Sequence, residues 1–169
     1  MTCPNVLGFM MALATIGCAA SSPSVDLAPT WPNSPGDYHD ITQAWTRAGH
    51  DRQDLVLKVD VIATLKSPIW RAAFVAARAK REKLSLPAKQ ELLELERKAD
   101  ADAVEVELLV ATYDRRVNDL HKGKRSVWHL ALVSDDGHEL FPIEVVRDRR
   151  PASELKAYFP GMSDFHQAY

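Results

Sequence analysis

Apolar residues recur along this chain with two different periods. Tyr38, Ile41 and Trp45 fall at helical spacing through residues 37–49, and Gly49 closes the segment, so a short helix is predicted there. From Leu55 to Leu65 the period drops to two. Leu55, Leu57, Val59, Val61, Ala63 and Leu65 face one way, and Lys58, Asp60 and Thr64 the other, the pattern of a half-buried strand. Helical spacing returns after Ser67-Pro68, with Ile69, Ala72, Ala73 and Ala76 on one face and Trp70, Phe74 and Ala77 beside them. Ser85 can cap a second helix that buries Leu92, Leu93, Leu95 and Ala99, completing a helical hairpin.

Val104 to Tyr113 alternates again, with Val104, Val106, Leu108 and Val110 opposite Glu105 and Glu107. Residues 114–125 read as a loop. Val127–Val133 and Leu140–Val146 then flank Asp136-Gly137, a pair suited to a two-residue type I′ turn. That turn would place Trp128 opposite Val145, Leu130 opposite Ile143 and Leu132 opposite Phe141, all apolar pairs. A three-residue loop would instead set Leu130 against Pro142 and Trp128 against Glu144, and the two-residue register is preferred. A short helix is expected after Pro151, and Phe165 to Tyr169 reads as the approach to another strand. The order strand, helix, helix, strand, strand, strand predicts one α+β domain over residues 37–169. Its sheet is expected to be mainly antiparallel, of four or more strands, with the two helices inserted between the first two. Four strands are too few for an immunoglobulin-type sandwich, so an incomplete sandwich in a C-terminally truncated fragment is a further expectation. No internal repeat is present.

Charge is distributed unevenly. All 21 Lys and Arg and all 23 Asp and Glu lie at or beyond Asp26. Within the uncharged stretch, Val6–Ile16 is too short to span a bilayer as a helix and has the length of a signal-peptide core. Ala14, Thr15, Ile16, Gly17 and Cys18 resemble the lipobox of bacterial lipoproteins. That resemblance implies removal of residues 1–17, acylation of Cys18 and, because Ala19 and not an aspartate follows, an outer-membrane address facing the periplasm. The leader departs from the usual pattern in two respects: Thr15 stands where leucine is common, and residues 1–11 carry no Lys or Arg, which fits a start elsewhere. Secretory cleavage after Ala20, releasing a soluble exported module, and a buried N-terminal helix are the alternatives. Residues 18–36 contain Pro23, Pro29, Pro32 and Pro35 among small and polar residues, the composition of an extended tether. The remainder is similar to uncharacterised exported or lipoprotein domains. Cys3 and Cys18 are the two cysteines, so with Cys3 removed and Cys18 acylated the fold would rest on its core, without disulfide or thiolate chemistry.

Candidate chemistry is sparse. His39, His50, His121, His129, His138 and His166 form no HxH, HxxxH or HExxH pattern, and the preferred register sets His129 against Glu144 as a surface pair, so no metal site is expected. Asp135, Asp136, Gly137 and His138 suit a turn better than a calcium loop. No GxSxG, GxGxxG or P-loop occurs, so neither a catalytic residue nor a cofactor is assigned. Basic Arg78, Lys80, Arg81 and Lys83 end one helix, and Glu91, Glu94, Glu96, Asp100 and Asp102 line the next; both read as solvated faces. A net charge of −2 argues against a nucleic-acid partner. The expected function is a cell-envelope lipoprotein, attached to the membrane through its N-terminal lipid, with a noncatalytic binding or structural domain and an envelope protein as partner. An exported enzyme with an unrecognised site is the alternative.

Overall fold

The computed structural model describes residues 30–53 and 56–169; the leader, Cys18 and the first part of the tether lie outside that range. Helix α1 (Tyr38–Trp45) is capped by Asp37, whose carboxylate accepts the N–H groups of His39 and Asp40. It ends at Trp45, four residues before Gly49. The chain turns directly into strand β1 (Thr46–Gln53), which pairs antiparallel with β2 (Val56–Leu65). Gly49 is therefore inside a strand and does not stop a helix. TRAGHDRQ carries no alternating apolar signal because β1 is an edge strand whose outward-facing side chains are exposed and charged, a composition that discourages further strand pairing.

The sheet runs in the order β1-β2-β3-β6, with β3 spanning Val106–Thr112 and β6 Gln167–Ala168, and every neighbouring pair is antiparallel. The α+β class and the four-stranded antiparallel sheet stand, but two members differ from expectation. β1 enters at one edge, and the C-terminal β6 takes the place expected for the hairpin strands. The helical hairpin, α2 (Pro68–Glu82) and α3 (Leu86–Asp102), is inserted between β2 and β3. Ser67 and Ser85 cap the two helices by accepting the N–H groups of Trp70 and Ala88.

One face of the sheet packs under α1, α2 and α4 (Ala152–Tyr158). Trp70 stacks on Phe74 at 5.2 Å and on Phe159 at 5.8 Å, and its indole N–H donates to the fully buried Thr42 hydroxyl at 3.0 Å. Leu109, Ile62, Leu155 and Tyr158 close this core. The opposite face holds Val59, Val61, Ala63, Leu108 and Val110 beneath Leu120, Trp128, Leu130, Val145 and Tyr169. Because both faces are covered, the positions expected to be polar and solvated are not: Thr64 is 2% exposed and Glu107 2%. Thr64 is satisfied by a 2.8 Å bond to Thr46. Helix α3 departs the other way. None of its residues is fully buried, and Leu95, expected in the core, is 59% exposed. Leu92 and Leu93 alone of that leucine set reach the core.

The largest difference lies in residues 127–146. Pairing there is confined to β4 (Leu132–Val133) and β5 (Glu139–Leu140), with Leu132 opposite Leu140 and Val133 opposite Glu139, the register of the three-residue loop. The Gly137 N–H donates to the Ser134 carbonyl and Gly137 sits at φ +84°, so a type I turn is followed by a left-handed glycine. Glycine sits at the left-handed position that closes the three-residue loop, so Asp136-Gly137 is not a type I′ pair. Outside this short ladder the expected pairs of Trp128 with Val145 and Leu130 with Ile143 are not strand partners. Trp128 and Val145 pack onto the sheet instead, because that open face offers apolar contact.

Candidate functional site

Two charged networks sit beside α2. Arg71, 1% exposed, donates from Nε to the Lys66 carbonyl at 3.0 Å, from Nη1 to Glu96 at 2.5 Å and from Nη2 to Glu105 at 3.0 Å, with Asp100 at 3.7 Å. The second network centres on Glu107. Its Oε2 meets Lys66 Nζ at 2.9 Å and Arg150 Nη2 at 3.4 Å, while its buried Oε1 has no hydrogen-bond partner among the described residues. Arg150 also clamps Asp148 through its backbone N–H and its guanidinium. A cavity of about 210 Å³ opens between the networks, lined by Lys66, Trp70, Arg71, Phe74, Arg78, Glu96, Glu105 and Arg150. Every cation on its wall is already ion-paired, Arg78 with Glu82 at 2.9 Å, so the cavity holds no surplus positive charge for an anion.

The histidines remain scattered. Among the described residues no group of three or more His, Cys, Asp or Glu side chains is placed to hold a metal ion. His129 is exposed, and the β4–β5 ladder does not extend to it or to Glu144. Structure does bring together one set that the sequence hid: the Ser163 hydroxyl lies 2.8 Å from His166 Nδ1, and His166 Nε2 lies 3.3 Å from Asp60 of β2. The types are those of a hydrolytic triad, but the chemistry differs. Ser163 also donates its backbone N–H to the same Nδ1 at 3.0 Å, occupying the lone pair a general base needs. The Ser163 oxygen accepts the Phe165 N–H at 3.3 Å, and Nε2 forms no hydrogen bond with Asp60 despite the short separation. Ser163 and His166 form a clasp that shapes the turn into β6.

A different kind of site lies on the 127–146 segment. Trp128, Leu130 and Val145 anchor its root on the sheet, and beyond them the chain projects as an arm. Leu132, Val133, Leu140 and Phe141 are 59–65% exposed, and Ile143 is 98% exposed. Val127 and Val146 add exposed apolar surface at the root. Beside it runs an open groove of about 530 Å³, lined by His121, Glu144, Val145, Val146, Arg147, Asp148 and Arg149. Clustered apolar side chains without cover are the mark of a contact surface, because burying one such side chain is worth about 1.5–3 kcal/mol.

No family model, no curated protein and no solved structure matches this chain. Burial raises the Glu107 carboxyl above its ordinary range, against the opposing pull of Lys66 and Arg150. Burial also works to raise Asp148, but hydrogen bonds from Arg150 outweigh it and hold that carboxyl below the usual range. A group whose pKa rises on folding stabilises the fold while it is protonated, and that contribution is lost as pH climbs through the folded value. The wild type is accordingly expected to lose stability relative to Glu107→Gln as pH rises above the ordinary glutamate range. Urea midpoints of both proteins at a series of pH values measure this, and parallel pH profiles would refute it.

Sequence reading missed Glu107 because strict alternation on β3 assigned it to a wet face. The signal available was the pair of helices just before β3, which must cover one face of the sheet. The arm was missed for a related reason: its apolar residues were paired with each other across an assumed ladder, when they face outward.

Proposed function

We propose that this chain is a bacterial cell-envelope lipoprotein whose α+β domain is a noncatalytic binding module, with the 127–146 arm as its docking element. In this reading residues 1–17 are a leader, Cys18 carries the lipid and residues 18–36 hold the domain away from an outer membrane on its periplasmic side. Support for the address comes from the run Ala14-Thr15-Ile16-Gly17-Cys18 after an uncharged apolar core. Among the described residues no helix is long and apolar enough to cross a membrane, and anchoring in this reading comes from the acyl chains.

Support for binding comes from one observation, the exposure of five large apolar side chains, Leu132, Val133, Leu140, Phe141 and Ile143, within one short segment. The charged cavity beside α2 does not rival it, since its groups are committed to each other. The address is tested by expressing the full chain in cells supplied with labelled palmitate. Wild type is expected to take up label and to yield a mature N-terminus at acylated Cys18, and Cys18→Ala to stay unlabelled. A mature chain beginning at unmodified Ser21 would overturn the anchoring.

A further inference from the structure

We infer that the occupant of the arm is the arm of a second copy of this chain, laid antiparallel about a two-fold axis. The inference rests on the arm being the docking element. Charge is distributed unevenly along that arm. At the tip, Asp135 and Glu139 make no ion pair among the described residues, and Asp136 is held locally by Ser134 and His138. At the root, Lys124, Arg125 and Arg149 likewise make no ion pair among the described residues, and Arg147 and Arg149 line the groove. Among the described residues Glu144 is the one uncommitted acid near the root, and it is outnumbered there by these cations. Between the two ends lie the exposed Leu132, Val133, Leu140, Phe141 and Ile143.

An element that is acidic at one end, basic at the other and apolar between is complementary to itself when reversed. In an isologous contact every tip meets a root and the two apolar middles cover each other. The acidic tip also disfavours insertion into an anionic lipid surface, which would repel Asp135, Asp136 and Glu139. About six residues separate Leu130 from the turn, a reach on the order of 20 Å at strand spacing, long enough for one tip to arrive at the other root.

The test uses the full chain. In detergent solution, light scattering or sedimentation is expected to give a protein mass of two chains. Ile143→Asp, at a position too exposed to affect folding, is expected to raise the dimer dissociation constant by roughly 100-fold, since the symmetric contact uses it twice. Reversing the tip (Asp135→Lys with Glu139→Lys) is expected to weaken association about tenfold, and adding the root reversal (Lys124→Glu with Arg125→Glu) to restore it. A monomer at every concentration, or a dimer indifferent to Ile143→Asp, overturns the inference. A photo-crosslinker at position 143 in cells separates the two levels of argument. An adduct joining two differently tagged copies supports the dimer. An adduct with lipid or with another protein overturns the dimer but leaves the arm as a docking element, and no adduct overturns both.

Discussion

Trp70→Ala is expected to lower the unfolding free energy by about 3–5 kcal/mol, the range for removing a large aromatic from a packed core. Trp70 is 2% exposed and lies where α1, α2 and the turn after α4 converge. Its ring is sandwiched between Phe74 and Phe159, with interplanar angles of 8° and 18°. Truncation therefore opens a void bounded by two aromatic faces that backbone anchors on different elements prevent from closing. It also strips the Thr42 hydroxyl, which is 0% exposed, of its indole donor. Trp70→Phe separates these contributions, since it keeps a stacking ring and removes the N–H; a loss of about 1–2 kcal/mol is expected. Urea unfolding followed by circular dichroism measures both. An Ala variant within 1 kcal/mol of wild type would show that this aromatic stack does not organise the fold. A typical domain has only about 5–15 kcal/mol in hand, so the Ala variant is expected to sit close to the threshold for folding at growth temperature.

What was legible in the sequence follows from how strongly a segment's surroundings enforce its period. Residues 68–75 of α2 and 107–111 of β3 are buried almost continuously, and their apolar spacing located both elements to within a few residues. Ala152–Tyr158 was legible for a simpler reason, because Pro151 fixes where it begins. β1 was invisible, since an edge strand with exposed side chains is specified by its partner's hydrogen bonds and carries no apolar period of its own. The arm failed in the opposite sense. Its alternation is real, but alternation marks two unlike faces and does not say what covers the apolar one. In this chain the sheet covers Trp128, Leu130 and Val145, and the apolar side chains farther out are left open on both faces of the short ladder. Ser163, His166 and Asp60 come from two distant segments, so their meeting depends on β6 lying antiparallel to β3, which no local pattern encodes.

The leucines of α3 have the spacing of a core helix, but most of that helix is not in the core. With Leu95 exposed and only Leu92 and Leu93 touching the core, apolar burial alone holds this helix weakly. Arg71 supplies the rest. It is the only side chain of α2 that bonds both Glu96 on α3 and Glu105 just before β3, and it also fixes the Lys66 carbonyl at the end of β2. Arg71→Met keeps the volume of the stem but leaves Glu96, Asp100 and Glu105 grouped without their shared cation. Breaking a buried pair by removing one partner costs about 3–5 kcal/mol. The lower end, about 3 kcal/mol, is expected here because the three carboxylates are 19–43% exposed and can turn to water. The damage should be local. Hydrogen exchange across residues 86–102 is expected to accelerate well beyond that of the central β3 amides of Leu109 and Val110, as α3 opens independently of the sheet. Arg71→Lys retains one charge but cannot span two carboxylates, so it should recover only part of the protection. If Lys protects α3 as well as Arg does, or if Met leaves its exchange unchanged, the helix is docked by Leu92 and Leu93 and the guanidinium fork is incidental.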